Sequence, residues 1–212
     1  MNLSQRSRAL VHVLLLVCAG LCSSATFAQS YLITVDTSAI AGTHGYVNFQ
    51  FNPADLLAPE ADASILQWAG GITLLDAPLI EGSVTGELPG TVSLNNSTAF
   101  NDYFHAAQFG EAFSFVLQLA ANVSIPTSSP GTSFALALYA ADAMTPLLSG
   151  DISGSIVRFE LRPDGVDYQT FGPDASSPSV VQVSPVPLPA AAWLLLSGVV
   201  ALFGAARSRF NK

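Results

Sequence analysis

Residues suited to acid–base or metal chemistry are few and widely spaced beyond residue 28. His44 and His105 are the only histidines in that part of the chain, and 61 residues separate them. Neither belongs to a metal-binding His-Glu-x-x-His motif, and the chain has no Gly-x-Ser-x-Gly nucleophile elbow and no phosphate-binding Gly-x-x-x-x-Gly-Lys loop. We therefore interpret both histidines as solvated loop residues and expect no catalytic residue, no metal site and no cofactor.

The acidic residues leave two functional alternatives open, a glycosidase site and a Ca²⁺ site. Any two of the 15 acidic side chains would form the acid and nucleophile of a glycosidase if the fold placed them in one cleft. The segment Asp164-Gly165-Val166-Asp167 offers oxygens to Ca²⁺ but lacks the number of ligands and the terminal glutamate of an EF-hand loop. A hairpin turn at Pro163-Asp164-Gly165 explains the same residues, so a turn is the preferred interpretation.

The central part of the chain is strongly acidic. All 15 carboxylates lie between Asp36 and Asp174, where Arg158 and Arg162 are the only cations, so this stretch carries a net charge of −13. Nucleic acid is excluded as a partner, because binding a polyanion requires clustered Lys or Arg side chains. We interpret the acidity as a source of solubility, with a cationic partner or Ca²⁺ as the alternative.

Alternating apolar and polar residues between turn-forming segments predict short, half-buried β-strands over residues 29–172. Eight or nine such strands favour a single all-β domain, a β-sandwich of jelly-roll-like or other Greek-key form. The alternation weakens over residues 60–68, where a short helix or a loop is expected. One set of alternating side chains should form a common core: Phe49, Phe51, Phe113, Phe115, Leu117, Phe134, Leu136 and Phe159.

The first 28 residues have the organisation of a secretory signal peptide. Arg6 and Arg8 precede an apolar run over residues 9–21, and small residues follow it. We expect cleavage after Ala28, with cleavage after Ala25 as the second choice. The sequence therefore predicts an exported protein.

Both cysteines of the chain, Cys18 and Cys22, lie within the predicted signal peptide. A lipoprotein signal is the alternative, but Val17 and Leu21 are larger than the small residue that usually precedes a lipidated cysteine. Cleavage would remove both thiols. The exported domain would then form no disulfide and would depend on packing for its stability.

The chain ends in a linker, a short motif, an apolar segment and a basic stop. Proline and serine make residues 173–185 a predicted linker that does not pack. The uncharged residues 190–206 would be about 25 Å long as a helix, which approaches the thickness of a membrane's hydrocarbon core. The motif before this predicted transmembrane helix is Val186, Pro187, Leu188 and Pro189, and the basic stop after it is Arg207, Arg209 and Lys212.

This tail, residues 186–212, resembles the PEP-CTERM sorting signal of Gram-negative bacteria, in which a Pro-Glu-Pro-like motif, a transmembrane helix and a basic cluster are recognised by an exosortase. Leu188 stands where that motif has glutamate, and a plain, uncut membrane anchor is the alternative. The resemblance implies a precursor tethered to the inner membrane with its domain in the periplasm. An exosortase-like enzyme would then cut it, and the domain would move to the cell surface or the extracellular space.

The domain carries a second, more limited resemblance. Segments 31–38, 45–52, 100–102, 109–110 and 113–115 are similar to those of a group of PEP-CTERM proteins whose function is unassigned, so this likeness implies no activity. We expect a non-enzymatic cell-surface or matrix protein associated with exopolysaccharide in a biofilm. The alternative is a carbohydrate-binding or carbohydrate-cleaving domain, because β-sandwich folds host both.

Overall fold

The fold is that of a computed structural model, which describes residues 26–122, 131–162, 165–174 and 176–187. These residues form thirteen β-strands and one short 3-10 turn, Ser38–Ile40, and contain no α-helix. In chain order the strands are β1 Thr26–Asp36, β2 His44–Pro53, β3 Ala61–Gly70, β4 Thr73–Leu74, β5 Leu79–Glu81, β6 Val84–Gly86, β7 Val92–Asn95, β8 Asp102–Gln108, β9 Ala112–Asn122, β10 Thr132–Ala140, β11 Ser155–Arg162, β12 Gly165–Thr170 and β13 Val181–Pro185.

The strands form two antiparallel sheets, which confirms the all-β class predicted from the sequence. Sheet A contains six strands in the order β13-β1-β9-β3-β7-β6. Sheet B contains seven strands: β12-β11-β10-β2-β8-β4 run in that order, and β5 also pairs with β8. The chain crosses repeatedly from one sheet to the other. The connections that do so between long strands are β1–β2, β2–β3, β8–β9 and β9–β10.

The inner faces of the two sheets enclose one hydrophobic core. Phe49 of sheet B packs edge-on against Phe115 of sheet A with ring centroids 5.3 Å apart, and Tyr31 of sheet A lies 4.9 Å from Phe159 of sheet B. Side chains point to alternate faces along a strand, so the longer strands such as β2, β8 and β10 give every second residue to this core. The predicted core is confirmed, since all eight of its side chains are buried: Phe49, Phe51, Phe113, Phe115, Leu117, Phe134, Leu136 and Phe159.

Strand β3 occupies the stretch where a helix or a loop was expected, so that prediction was wrong. Ala61, Ala63 and Ile65 point into the core and alternate with polar or half-buried residues, and β3 pairs with both β9 and β7. Alanine is a poor strand former in isolation, which obscured a period-2 pattern that neighbouring strands enforce. The pairing shifts between Leu66 and Ala69, and Trp68 packs against the core near this irregularity.

The predicted linker also differs from the structure, because its last five residues form strand β13. This strand pairs with β1 from Val181 opposite Val35 to Pro185 opposite Tyr31, and the Val181 side chain is buried. β13 is an edge strand, where the missing N–H of a proline costs little, so Pro185 does not prevent pairing. The expectation that residues 173–185 remain unpacked therefore fails for residues 181–185.

The predicted signal peptide and membrane segment lie almost wholly outside the described residues. Ala28, the expected cleavage position, belongs to β1 and pairs with Ala120 of β9. Cleavage after Ala28 would remove the first three residues of β1, whereas cleavage after Ala25 would leave the strand whole. No helix long and apolar enough to cross a membrane occurs in the part of the chain that the structure describes, which does not include residues 190–206.

Replacing Phe115 with alanine should lower the free energy of unfolding by about 3–5 kcal/mol, because it empties a site enclosed by both sheets. Val116→Ala is the matched control, since Val116 is the next residue of β9 and lies half-buried on the outer face. That substitution should cost less than about 1.5 kcal/mol. Urea denaturation measures both changes, and equal losses would contradict the assigned orientation of β9.

Candidate functional site

The two histidines singled out in the sequence are not brought together. His105 lies within β8 and is 1% exposed, so its interpretation as a solvated loop residue was wrong, whereas His44 is exposed at the start of β2. The register places Val47 opposite His105, and both point into the core. His44 is three residues before Val47 and points to the other face of the sheet.

His105 has a structural role that its hydrogen bonds define. Its Nε2 lies 3.1 Å from the Asp76 carbonyl oxygen, which can only accept, so Nε2 carries a proton. Its Nδ1 lies 2.7 Å from the Tyr103 hydroxyl, whose oxygen also accepts a hydrogen bond from the Leu88 N–H. Burial raises the pKa of Tyr103 to about 12. This closed network ties the β4–β5 and β6–β7 connections to β8 and leaves no free base.

The outer face of sheet B carries a group of aromatic and polar side chains that the sequence analysis did not identify. Three direct cross-strand pairs form it: Tyr46 opposite Tyr139, Asn48 opposite Phe104, and Gln50 opposite Asp102. Their neighbours along each strand point into the core, so these six side chains point away from it. We call the set the outer patch: Tyr46, Asn48, Gln50, Asp102, Phe104 and Tyr139.

Aromatic rings form one half of the outer patch. The rings of Tyr46 and Phe104 stack with centroids 4.5 Å apart and an interplanar angle of 20°. Tyr139 lies 5.9 Å from Phe104 at an angle of 46°. All three side chains are partly exposed, so the cluster offers a rigid apolar surface with a phenol hydroxyl from each tyrosine.

Amides and a carboxylate form the other half of the outer patch. Asn48 is 2% exposed and donates from Nδ2 to Asp102 Oδ1 at 2.5 Å and to the Tyr103 carbonyl oxygen at 3.3 Å. Its own Oδ1 accepts a hydrogen bond from Gln50 Nε2 at 2.9 Å. Asn48 thus fixes the side chains of Asp102 and Gln50 beside the aromatic rings, where both are half-buried.

The environment of Asp102 disfavours its charge. Burial, followed by the nearby Glu81 carboxylate, raises the pKa of Asp102, although hydrogen bonds from Asn48 and Gln50 oppose the shift. Glu81 of β5 lies directly opposite Asp102 of β8, and two like charges in such a pair repel each other. An ionised Asp102 in this environment lowers the stability of the fold. Carboxyl groups with pKa values perturbed in this way are more typical of functional sites than of solvated surfaces.

The outer face continues from the outer patch toward β11 and β12. Ala135 lies opposite Gln50 on one side and opposite Arg158 on the other, and Arg158 lies opposite Gln169. A shallow cleft of about 560 Å³ follows, lined by Arg158, Glu160, Arg162, Asp167, Tyr168 and Gln169. The small Ala135 therefore separates the outer patch from a polar cleft on the same face.

Both arginines of the domain lie on this face, and each is paired. Arg158 contacts Asp151 at 2.9 Å and Arg162 contacts Asp167 at 3.7 Å. Their charges are balanced within the domain, so the face has no unpaired cation among the described residues to attract an anionic polymer. The arrangement suits an uncharged ligand that can stack on rings and exchange hydrogen bonds.

A second cleft, of about 470 Å³, is lined in part by Asp151 and Asp174. The hydroxyls of Ser176 and Ser177 donate to the Asp174 carboxylate and lower its pKa to about 2. The Asp151 carboxylate accepts the Ser153 N–H and contacts Arg158, and the Asp174 carboxylate accepts the N–H groups of Ser176 and Ser177. The described residues contain no group of three or more His, Cys, Asp or Glu side chains placed to hold a metal ion.

The predicted sorting motif lies partly within the described chain. Val186 donates its backbone N–H to the Ser30 carbonyl oxygen at 2.8 Å and its side chain is partly exposed, and Pro187 is exposed beside it. The rest of the motif and the whole basic stop lie outside the described residues: Leu188, Pro189, Arg207, Arg209 and Lys212. The Ca²⁺ alternative at 164–167 rests partly on Asp164, which also lies outside them, while β11 and β12 pair as a hairpin up to Arg162 opposite Gly165.

No protein-family profile matches the chain, and no curated protein or solved structure is significantly similar to it. A signal for the outer patch was present in β2 and β8, where aromatic, amide and carboxylate groups occupy the outward positions. Only the pairing of the strands shows that these positions meet.

Asp102→Asn should raise thermal stability at neutral pH. The raised pKa means that the folded protein holds the Asp102 proton more tightly than the unfolded chain does, so ionisation costs stability as the pH rises through that pKa. The variant should gain less than about 1 kcal/mol at neutral pH, and the gain should disappear near about pH 3. Thermal melts across this range measure it.

Asp167→Asn is the matched control, because the Asp167 side chain is 82% exposed on the same sheet. It should change stability little at either pH. A gain for Asp102→Asn that is equally large in acid would show that the charge is not the cause.

Proposed function

We propose that this protein is an exported, non-enzymatic surface or matrix protein that holds an uncharged extracellular polysaccharide on its outer patch. The single observation that carries the proposal is the alignment of stacked aromatic rings beside a fixed amide–carboxylate group on a solvent-facing sheet. Sugar rings have apolar C–H faces and polar hydroxyl edges, so a ligand of this class satisfies both halves of the patch.

Charge supports an uncharged polymer over an acidic one. The domain carries 15 carboxylates and two arginines, and both arginines are paired with aspartates. A polysaccharide rich in uronate, sulfate or phosphate would be repelled over its whole length. Hydroxyl groups, in contrast, donate to Asp102 and Gln50 oxygens and accept from the Gln50 amide without any net charge.

The ends of the chain support export and sorting as part of this function. A signal peptide over residues 1–28 would deliver the domain, and a transmembrane helix over residues 190–206 would tether it to the inner membrane until an exosortase-like enzyme cuts near the motif at 186–189. Val186 is accessible immediately after the edge strand β13, as a protease site requires. The repeated crossing of the chain between the sheets supports the jelly-roll-like form within the all-β class.

Cleavage of a polysaccharide is the second candidate, and the opposed carboxylates of Glu81 and Asp102 favour it. Glycoside hydrolysis requires a pair of carboxyl groups, one of them with a raised pKa, and these two residues lie directly opposite each other on neighbouring strands. Incubation with polysaccharide and measurement of new reducing ends decides between the candidates. Hydrolysis that is lost in both Glu81→Gln and Asp102→Asn would replace the binding proposal.

Truncation of the aromatic cluster should weaken polysaccharide binding. Tyr46→Ala and Phe104→Ala should each lower the affinity for the uncharged exopolysaccharide of the host by about tenfold or more, as expected for central aromatic contacts. Titration calorimetry with the purified protein measures the change. Added salt should have little effect on wild-type binding, because the ligand carries no charge.

Phe100→Ala is the control for this experiment, because Phe100 is also a partly exposed phenylalanine but lies in a loop outside the outer patch. It should bind like the wild type. An equal loss of affinity in this control, or binding that disappears in salt, would contradict the assignment of the outer patch.

The sorting proposal predicts a new C-terminus. In a host that has the sorting enzyme, mass spectrometry of the mature protein should find the chain ending close to Pro187, without the apolar segment and the basic stop. Residues 181–185 should remain, because they form part of sheet A. A dominant species that still ends in Phe210-Asn211-Lys212 would support a plain membrane anchor instead.

A further inference from the structure

One end of the domain carries exposed apolar side chains on two loops. Leu56 and Leu57 are 74% and 82% exposed in the connection between β2 and β3, and Phe100 is 44% exposed in the connection between β7 and β8. The Asp55 side chain accepts the Leu57 N–H at 2.7 Å, which fixes the turn that presents both leucines. Adjacent exposed leucines on an acidic surface form an apolar patch rimmed by polar residues, a pattern that marks protein or membrane interaction sites.

Asn96 shows that the two loops project from the same end of both sheets. Its Oδ1 accepts a hydrogen bond from the N–H of Ala61, the first residue of β3 in sheet A. Its Nδ2 donates to the hydroxyl of Thr132, the first residue of β10 in sheet B, which lies opposite Pro53 at the end of β2. The starts of β3 and β10 and the end of β2 therefore meet at this end.

The C-terminal tail leaves the domain toward the same end. Ser30 of β1 and Ser64 of β3 both lie opposite Gln118 of β9, so the two serines are at the same level along the strands. β3 begins three residues before Ser64, so its start lies about 10 Å beyond that level. β13 runs antiparallel to β1 and thus toward that end, with Val186 bonded to Ser30. The three peptide steps from Pro187 to Ala190 span at most about 10 Å, so the predicted apolar segment begins within that distance of Pro187.

We propose that the loops bearing Leu56, Leu57 and Phe100 rest on the lipid surface while the protein is tethered by its tail. The proposal depends on the membrane tether put forward above. A tether this short holds the end of the domain against the bilayer, where exposed leucine and phenylalanine side chains enter the interfacial region. The strands then run away from the membrane, and the outer patch faces sideways, open to a polymer outside the cell membrane.

Charge defines the kind of lipid surface that fits. Asp55, Glu60 and Asp62 lie in or next to the same loop, and the two connections contain no Lys or Arg. Acidic side chains are repelled by anionic headgroups, so the contact should be strongest on zwitterionic phosphatidylcholine and weaker when phosphatidylglycerol is added. The leucines supply the attraction, and the carboxylates limit how deeply the loop enters.

The test uses single cysteines, which the chain permits because Cys18 and Cys22 both lie in the predicted signal peptide. Leu57→Cys carries an environment-sensitive nitrobenzoxadiazole probe in protein comprising residues 29–212, reconstituted in phosphatidylcholine vesicles. Ile152→Cys is the matched control, because Ile152 is fully exposed in the connection between β10 and β11, at the far ends of those strands. The probe at 57 should shift to the blue and be quenched by doxyl-labelled lipid, while the probe at 152 should do neither.

Flotation of the same vesicles separates the two proposals. If the protein floats with the lipid and the probe at 57 still reports water, the loop contact is wrong and the tether stands. If the protein does not float, the tether and the contact both fail. Equal quenching of the probes at 57 and 152 would show lipid contact without the proposed orientation and would also overturn the inference.

Discussion

Phe49 lies where the two sheets meet, and its ring contacts aromatic side chains of both. Phe115 and Trp68 approach it from sheet A, and Tyr103 and Phe134 flank it within sheet B. The described residues contain no cysteine, so this packing has no disulfide to support it. Because the long strands present their apolar sides to the core around this cluster, the same packing decides which of their side chains face the solvent.

The outer patch is a consequence of that constraint. Once Val47, Phe49 and Tyr103 are committed to the core, their neighbours on β2 and β8 must point outward and meet as cross-strand pairs. The resulting surface lowers the stability of the folded state, because it holds the Asp102 carboxylate partly desolvated and opposite Glu81. A solvent-facing sheet with no ligand would be more stable without this carboxylate, which is why we assign the face a binding role.

The strongly alternating strands and their core could be predicted from the sequence, whereas other features required tertiary information. β3 is rich in alanine and is a strand because β9 and β7 pair with it on either side, and β13 forms at the edge of sheet A in spite of its proline. His105 looked like a loop residue because its partners, Tyr103 and the Asp76 carbonyl, come together only in the folded chain. The outer patch was missed for the same reason, since its pairs lie up to 93 residues apart in the sequence.

We infer that the outer patch binds an uncharged polysaccharide, and the side-chain amides of Asn48 and Gln50 test this inference most directly. Their NMR signals should shift when oligosaccharides of the host's neutral exopolysaccharide are added, because Gln50 would exchange hydrogen bonds with the sugar and Asn48 fixes Gln50 in place. Signals from residues around the cleft at Asp174 should stay where they are. Shifts confined to that cleft, or no shifts at saturating oligosaccharide, would contradict the account.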